Sequence, residues 1–362
     1  MFKQDKPKQN PVIDRRARLF PLRVLLADQD QRSADLVRRV LYNFGFRKID
    51  VVLNTDDVLR LLRTYRYELL ICESRLRGGD GKSVIKKIRS MKDDKRVRRD
   101  VPIIMLTADS DADHVRLARD AGINEFVKKP FNAKTLSERI IQVIDFPRIF
   151  VDAEEYAGPC RRRRGPAPPE TGERRSPPPS LALRLKSAVS GLVTASETAT
   201  PTVLPSVTLT EANDDLKQAI GMDIRASDIL TDAVVQEAQA ELKNAEAEFI
   251  SWARDDIASL EEAYAKLVAN ADDRDAYRLL VASAYAIKSQ AGIFGYDLGT
   301  EVSGMLVKYL TLHPELDAKN MLVIRKHIDT IGAIFTQKIK DAGPEIAQDF
   351  IRTLELLIQK LG

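Results

Sequence analysis

Between residues 22 and 145, short apolar runs alternate with segments whose apolar residues recur at helical spacing. The runs predict five strands, at Leu22–Ala27, Ile49–Leu53, Glu68–Glu73, Val101–Ala108 and Glu125–Lys129. Helices are predicted between the strands, and a last one over Ala133–Ile144. Strands that alternate with helices pair in parallel through right-handed crossovers. The pattern therefore predicts an α/β domain with a doubly wound, five-stranded parallel sheet over residues 21–147.

Beyond Pro205 the pattern is helical to the end of the sequence. A long Ala- and Glu-rich helix starts near Arg225, and further helices are predicted at about 256–269, 274–295, 298–311, 317–340 and 344–361. Apolar residues of the first helix alternate three and four apart, at Val235, Ala238, Leu242, Ala245, Phe249 and Trp252. Such a seam serves a homodimer or the packing of the bundle itself, and the sequence favours neither. Residues 206–362 are predicted to form a separate all-α helical bundle.

The segment between these two parts has the composition of a linker. Nine of the 17 prolines lie within residues 151–205, together with a run of four arginines. Such a composition cannot bury an apolar core. We therefore divide the chain into a basic tail (1–20), the α/β domain (21–147), a basic Pro- and Arg-rich linker (148–205) and the bundle (206–362).

Charge separates the two halves of the chain. Residues 1–205 contain 41 Lys and Arg against 27 Asp and Glu, whereas residues 206–362 contain 16 against 26. A basic and an acidic half can attract each other or attract different partners. Two cysteines exclude a disulfide scaffold, and no run approaches the roughly 20 apolar residues that cross a bilayer. The N-terminus lacks an apolar signal sequence, so we expect a cytoplasmic protein.

Chemically active side chains follow the predicted strands of the first half. The carboxyl ends of parallel strands form the binding edge of such a sheet, and Asp28, Glu73, Thr107 and Lys129 lie there. The pieces VLLADQD, LLICESRLRGGDG, IIMLTA and AGINEFVKKPF, with their spacing, resemble the response-regulator receiver (CheY-like) family over about residues 22–146. Lys-Pro-Phe after an apolar strand, with Thr-Ala one unit earlier, is the most specific part of this resemblance.

The resemblance implies a phosphoryl-transfer site. In this family an aspartate after the third strand accepts a phosphoryl group, acids after the first strand hold Mg²⁺, and a hydroxyl and a lysine bind phosphoryl oxygens. Carried over, Glu73 has the phosphoacceptor position, Thr107 and Lys129 form the phosphoryl pocket, and Phe126 has the aromatic switch position. Asp28 is the first acid of the metal site.

Two positions depart from the family pattern. Glutamate at position 73 moves the carboxylate outward by one C–C bond, about 1.5 Å, and a misplacement of about 1 Å can cost a hundredfold in rate. Gln29 replaces the second metal acid, although Asp30 could substitute, so any Mg²⁺ site is weak and no cofactor is required. Glu73 is then either a fixed partial mimic of a phosphoryl group, paired with Lys129 and Thr107, or part of a decayed site.

The second half contains a weaker resemblance. AYAIKSQAGIFGY at residues 284–296 resembles the centre of histidine phosphotransfer (Hpt) domains, which implies a bundle at about 250–362. Tyr285 has the position of the reactive histidine, and Lys288 follows on the same helical face. A phenol titrates near 10, so it is a poor relay for a phosphoryl group. We expect Tyr285 to be a contact residue, or a buried core tyrosine, and Gly292 and Gly295 to allow close approach by a partner.

Both phosphoryl-handling positions are thus replaced within domains that otherwise look intact. The sequence predicts a two-component signal-transduction regulator and interaction scaffold, which is no enzyme and binds a sensor kinase, a receiver or an Hpt-type protein. The acidic bundle could dock on the receiver of its own chain. One alternative is an active phosphorelay module that uses a non-standard residue. Another is binding of nucleic acid or membrane by the linker residues Arg161, Arg162, Arg163 and Arg164, which the sequence favours less than a solvated linker.

Overall fold

A computed structural model of the chain describes residues 15–108, 112–161, 208–340 and 343–361. Most of the predicted N-terminal tail lies outside the described residues, as do Arg162, Arg163 and Arg164 and the Pro-rich part of the linker.

The first half forms a parallel sheet flanked by helices, as the sequence predicts. The strands are β1 (Arg23–Ala27), β2 (Lys48–Val52), β3 (Leu69–Cys72), β6 (Ile103–Thr107) and β7 (Glu125–Lys128), in the order β2-β1-β3-β6-β7. Between β3 and β6 a small hairpin pairs β4 (Arg75–Leu76) with β5 (Gly79–Asp80). Strands β1, β3 and β6 are almost entirely buried, which explains why they read as continuous apolar runs rather than alternating ones.

Helices cover both faces of this sheet. They are α1 (Gln31–Phe44), α2 (Thr55–Thr64), α3 (Gly81–Ser90), α4 (Ala112–Ala121) and α5 (Ala133–Asp145). Asp30, Asn54, Asp80 and Asn132 cap the first turns of α1, α2, α3 and α5 by accepting backbone N–H bonds. Gly45 ends α1 in the left-handed region (φ 118°), where a side chain would also meet the carbonyl oxygen of Arg16.

The C-terminal region is all-helical in its described residues after a short strand. It contains α6 (Asp215–Ile220), α7 (Ala226–Ile229), α8 (Asp232–Asn244), α9 (Glu246–Ala269), α10 (Arg274–Gln290), α11 (Asp297–Leu312), α12 (Ala318–Thr336) and α13 (Gly343–Leu361). A 3₁₀ turn (Ala291–Phe294) joins α10 to α11. None of the helices in the described ranges is both long and apolar enough to span a membrane.

The predicted seam is divided between two helices, and only its first part faces the sheet domain. Ala245 separates α8 from α9. Because alanine is a good helix former, the sequence does not predict this break. The buried seam residues Val235, Leu242 and Phe249 share one continuous apolar core with α1 and α5. The amide oxygen of Gln239 also accepts the Ala133 N–H, at 2.9 Å, at the start of α5. The seam therefore packs within the chain: its α8 part lies against α1 and α5, whereas the ring of Phe249 packs against Phe294 and Phe335 of the C-terminal region.

The segment after α5 remains attached to the sheet domain instead of leaving it at residue 148. Strand β8 (Phe150–Asp152) pairs antiparallel with both β9 (Ala157–Pro159) and β10 (Thr208–Thr210). Residues 148–161 therefore belong to the folded part of the chain. Strand β10, which follows the linker, pairs with β8 and so belongs to the same small sheet. Strand β9 contains Gly and Pro, which are rare within strands, so the pattern of apolar residues does not predict it.

Candidate functional site

The carboxyl ends of the sheet bring together the four side chains that the sequence places there. Ala27 pairs with Cys72, and Thr107 with Lys128, so the residues that follow β1, β3 and β7 meet at one edge beside Thr107. Asp28, Glu73 and Lys129 are each 2 % exposed, and Thr107 is 1 % exposed. The cluster is thus a buried polar network rather than an open cleft.

Lys129 is the centre of this network. Its Nζ lies 2.7 Å from Oδ2 of Asp28 and 2.6 Å from Oε2 of Glu73, and it donates a hydrogen bond of 2.8 Å to the hydroxyl of Ser33. Burial lowers the pKa of Lys129, but the two carboxylates and their hydrogen bonds outweigh it, so the pKa lies above its usual value. The ammonium stays charged and neutralises both acids.

The second oxygen of Glu73 is also engaged. Its Oε1 accepts the backbone N–H of Ser74 at 2.8 Å and the Ser74 hydroxyl at 3.0 Å. The same Ser74 hydroxyl is hydrogen bonded to Oγ1 of Thr107. The expected pairing of Glu73 with Lys129 is therefore direct, whereas the connection to Thr107 that this network shows runs through Ser74, because that serine stands between them.

Tyr285 reaches the same carboxylate from the C-terminal region. It lies on α10, is 4 % exposed, and its hydroxyl donates to Oε1 of Glu73 at 3.3 Å. The guanidinium carbon of Arg75 lies 4.6 Å from the centre of the Tyr285 ring. Tyr285 is thus both a contact residue and a buried one, and it covers Glu73. A neighbouring cleft of about 460 Å³ is lined by Asp28 and Tyr285, but Glu73 does not line it.

Close backbone approach and polar pairs hold α10 against the receiver edge. A Cβ atom added at Gly292 would lie 2.3 Å from Cγ of Pro130, the residue that follows Lys129. The amide of Gln290 donates to Oδ2 of Asp30 at 2.8 Å. Only a glycine allows this close approach, as expected for Gly292, whereas a Cβ at Gly295 would meet nothing within 4 Å, so the same expectation for Gly295 is wrong.

Basic side chains of α1 meet acidic side chains of α9. Arg32 pairs with Asp256 at 2.6 Å, and Arg39 pairs with both oxygens of Glu248, at 3.0 and 2.8 Å. Burial raises the pKa of Asp256 to about 6, despite Arg32. These ion pairs join the basic first half of the chain to its acidic second half, as the opposite net charges of the two halves favour.

The acids at this edge do not fit a Mg²⁺ site. Oδ2 of Asp28 is bound by Lys129 and Ser33, and its Oδ1 accepts the N–H of Asp30. Oδ1 of Asp30 caps α1, and its Oδ2 accepts from Gln290. Mg²⁺ requires several oxygen ligands in near-octahedral arrangement. Among the described residues, no group of three or more His, Cys, Asp or Glu side chains could hold a metal ion.

The other predicted residues lie around the site rather than in it. Phe126 is half-buried on β7, beside Met105 of β6. Lys288 lies on the same face of α10 as Tyr285, with its Nζ 5.5 Å from the ring centre. Arg161, the one residue of the four-arginine run that lies within the described residues, pairs with Asp120 at 2.8 Å.

Sequence reasoning missed the side chains that complete the network. Ser74 directly follows Glu73, and Ser33 lies five positions after Asp28, in the first turn of α1; both are buried. Their closeness in sequence to the two carboxylates was the available signal, since a buried carboxylate needs donors. Gln290 gave no signal, because its partner lies 260 positions away in the chain.

Part of the first half of the chain is similar to known proteins. The response regulator receiver domain family matches residues 24–141. Chemotaxis protein CheY of Pseudomonas aeruginosa is 24 % identical over 124 residues, which are 34 % of this chain and 97 % of CheY. The crystal structure of a CheY-like receiver domain protein from Methanospirillum hungatei JF-1 is 20 % identical, covering 33 % of this chain and 90 % of that one, with a TM-score of 0.30.

A second solved structure is the receiver domain of a sensor histidine kinase from Pseudomonas aeruginosa PAO1, which has a magnesium ion in its active site cleft. It is 28 % identical, covers 33 % of this chain and 94 % of that one, and has a TM-score of 0.30. The matched residues contain the parallel sheet in the order β2-β1-β3-β6-β7 and the Asp28, Thr107 and Lys129 edge. Residues 24–141 of this chain are a response regulator receiver domain with the CheY-like fold.

Proposed function

We propose that the chain is an atypical regulator of two-component signalling, which acts in the cytoplasm through protein contacts and has no catalytic activity. Its receiver is a pseudo-receiver, with Glu73 at the acceptor position. The observation that carries this proposal is the buried Glu73 carboxylate, both of whose oxygens are engaged, by Lys129 and Ser74, beneath Tyr285.

Phosphoryl transfer to this carboxylate faces two obstacles. An acceptor oxygen must attack phosphorus in line, and the longer glutamate side chain displaces that oxygen by about 1.5 Å. The oxygens would also have to leave Lys129 and Ser74, and the phosphoryl donor would have to displace Tyr285. A receiver that cannot accept phosphate regulates by what it binds.

Charge supports a partial mimic of the modified state. A phosphoryl group carries roughly two negative charges, and the Glu73 carboxylate carries one. This carboxylate draws Lys129 into an ion pair of 2.6 Å, where the resemblance places a lysine that binds phosphoryl oxygen. We propose that Glu73 fixes the receiver in one signalling state, with a smaller charge than phosphorylation would supply.

The C-terminal helices fit the role of an Hpt-like partner. By its resemblance, Tyr285 has the position of the Hpt histidine, and its hydroxyl contacts Glu73 at the acceptor position of the receiver. Donor and acceptor positions therefore meet within one chain, but neither residue transfers phosphate readily. We propose that this arrangement is an inert receiver–Hpt pairing, whose remaining surfaces bind a sensor kinase, a receiver or an Hpt-type protein.

Phosphate incorporation tests the proposal. The full chain is incubated with acetyl phosphate and Mg²⁺, and its intact mass is measured, beside Glu73→Gln and Tyr285→Ala. We expect the unmodified mass for all three. Stoichiometric phosphate that disappears in Glu73→Gln would show a working receiver, and phosphate that persists in Glu73→Gln would favour a relay through another residue.

A further inference from the structure

A second cleft, of about 840 Å³, lies between α4, β7 and the segment that ends at Arg161. Asp28, Glu73, Lys129 and Tyr285 do not line it, so it is distinct from the receiver edge. Five arginines line it, namely Arg116, Arg119, Arg139, Arg148 and Arg161. The acidic residues of the lining are Asp120 and Glu125, which leaves the cleft with an excess of positive charge.

The ion pairs within this cleft leave its arginines able to bind another anion. Arg161 pairs with Asp120 at 2.8 Å, and both side chains are more than a third exposed. Exposed pairs of this kind contribute little to stability, so a more highly charged anion can displace them. The single buried carboxylate of Glu125 is shared by Arg148 and, at 3.6 Å, by Arg139.

Arg139 also has an unused donor. Within the described part of the chain, no group accepts a hydrogen bond from its buried Nε. A buried polar atom without a partner costs free energy, and native proteins usually supply the partner from the protein, water or a ligand. Because Nε is buried, an anion in the cleft would supply its acceptor only after the Arg139 side chain rotates, whereas the remainder of this side chain, 32 % exposed in total, is already accessible.

The cleft is formed in advance because its outer wall is held by backbone pairing. Strand β9 pairs with β8, and the N–H of Cys160 then donates to the carbonyl of Ile149 at 2.7 Å. The guanidinium of Arg161 lies 4.6 Å from the centre of the Tyr156 ring, and the Tyr156 hydroxyl donates to the carbonyl of Pro159 at 2.7 Å. The first arginine of the basic run is therefore fixed on the folded domain.

We propose that this cleft binds a small molecule that carries two linked phosphate groups. Guanidinium groups bind phosphate oxygens in bidentate pairs, which lysine cannot do. Two linked phosphates carry about three negative charges near neutral pH, which matches five arginines and two acids. The volume lies within the roughly 300–1,000 Å³ of small-molecule sites. Tyr156, Phe126 and Ile123 supply apolar wall for the rest of the ligand.

Isothermal titration of the full chain tests the site with three probes, namely inorganic pyrophosphate, ADP and a single-stranded 12-mer oligonucleotide. Pyrophosphate and ADP share the diphosphate, and tighter ADP binding would identify a nucleotide rather than the free anion. We expect saturable binding of both at one site per chain, at least tenfold weaker in the double variant Arg116→Ala/Arg119→Ala. Both of these arginines are exposed, so this variant should fold normally.

Arg60→Ala/Arg278→Ala is the matched control, since it removes two exposed arginines that lie outside the cleft. We expect this variant to bind both diphosphates as the wild type does. Absence of saturable diphosphate binding would overturn the proposal, and so would an equal loss in the two double variants. Binding of the oligonucleotide alone would also overturn it, because it would indicate a general polyanion surface.

Discussion

The contact between Gly292 and Pro130 provides a quantitative test of how the helices are held on the receiver. In Gly292→Ala the new Cβ would lie 2.3 Å from Cγ and 2.8 Å from Cβ of Pro130, and 3.1 Å from Oγ1 of Thr300. Ordinary carbon–carbon contacts are about 3.5–4.0 Å. The two elements would therefore have to separate by more than 1 Å, and a proline ring has no rotamer by which to move aside.

Overpacking of this kind costs about 1–3 kcal/mol. That cost favours separation of the 3₁₀ turn and α10 from the receiver edge by a factor of about 5–150, since 1.4 kcal/mol is tenfold. Hydrogen–deuterium exchange of the full chain measures the effect. We expect faster exchange in residues 285–292 and around Glu73, where the contact with Tyr285 is lost.

Gly332→Ala is the matched control for this substitution. Gly332 lies within α12, and a Cβ added there would meet nothing within 4 Å. Because alanine favours a helix over glycine, we expect a gain of about 0.5–1 kcal/mol and unchanged exchange at the receiver edge. Unchanged exchange around Glu73 in Gly292→Ala would refute the close docking of this turn on Pro130.

Two further substitutions test buried ionisable side chains. Lys129→Met leaves two buried carboxylates without their counter-charge, so urea unfolding should show that the free energy of unfolding falls by about 3–5 kcal/mol. Lys128→Met, at an exposed position, should change this free energy little. Equal losses in the two variants would contradict the ion-pair network around Lys129. His327 is fully buried and burial lowers its pKa below 6.5, so the unfolded chain binds this proton more readily than the folded one. The free energy of unfolding should therefore fall as the pH drops below about 6.5, by up to about 1.4 kcal/mol per pH unit. His327→Leu should remove this part of the pH dependence. An identical pH profile in the variant would exclude a contribution from His327.

The fold of the receiver could be predicted closely because its strands are buried on both faces. Each central strand is then a continuous apolar run, and the helices on either side have apolar residues at helical spacing. The two sequence patterns are easily told apart. Three helix starts in the second half were marked as clearly, whereas the break at Ala245 was not, and α9 runs without interruption through the boundary predicted at residue 256. Asp317 caps α12, and α11 and α13 begin at Asp297 and Gly343, as the breaks in the pattern indicate.

The site could be predicted only as far as the receiver resemblance extends along the sequence. The pairing of Glu73 with Lys129 follows from two motifs whose places in the sheet are known. The hydrogen bond from Tyr285 to Glu73 does not, because it joins residues 212 positions apart and depends on how α10 docks. Strands β8 and β9 were missed for local reasons, since each has only three residues, too few to show an apolar period, and those of β9 include Gly and Pro.

Fluorine NMR with beryllofluoride tests the central claim, that the acceptor pocket of the receiver is closed around Glu73. Beryllofluoride binds carboxylates as a phosphoryl group would, and the full chain is titrated with it in the presence of Mg²⁺. We predict no bound fluorine resonance, because Lys129, Ser74 and Tyr285 already hold the carboxylate. A bound resonance that saturates at one site per chain and is absent in Glu73→Gln would contradict the account.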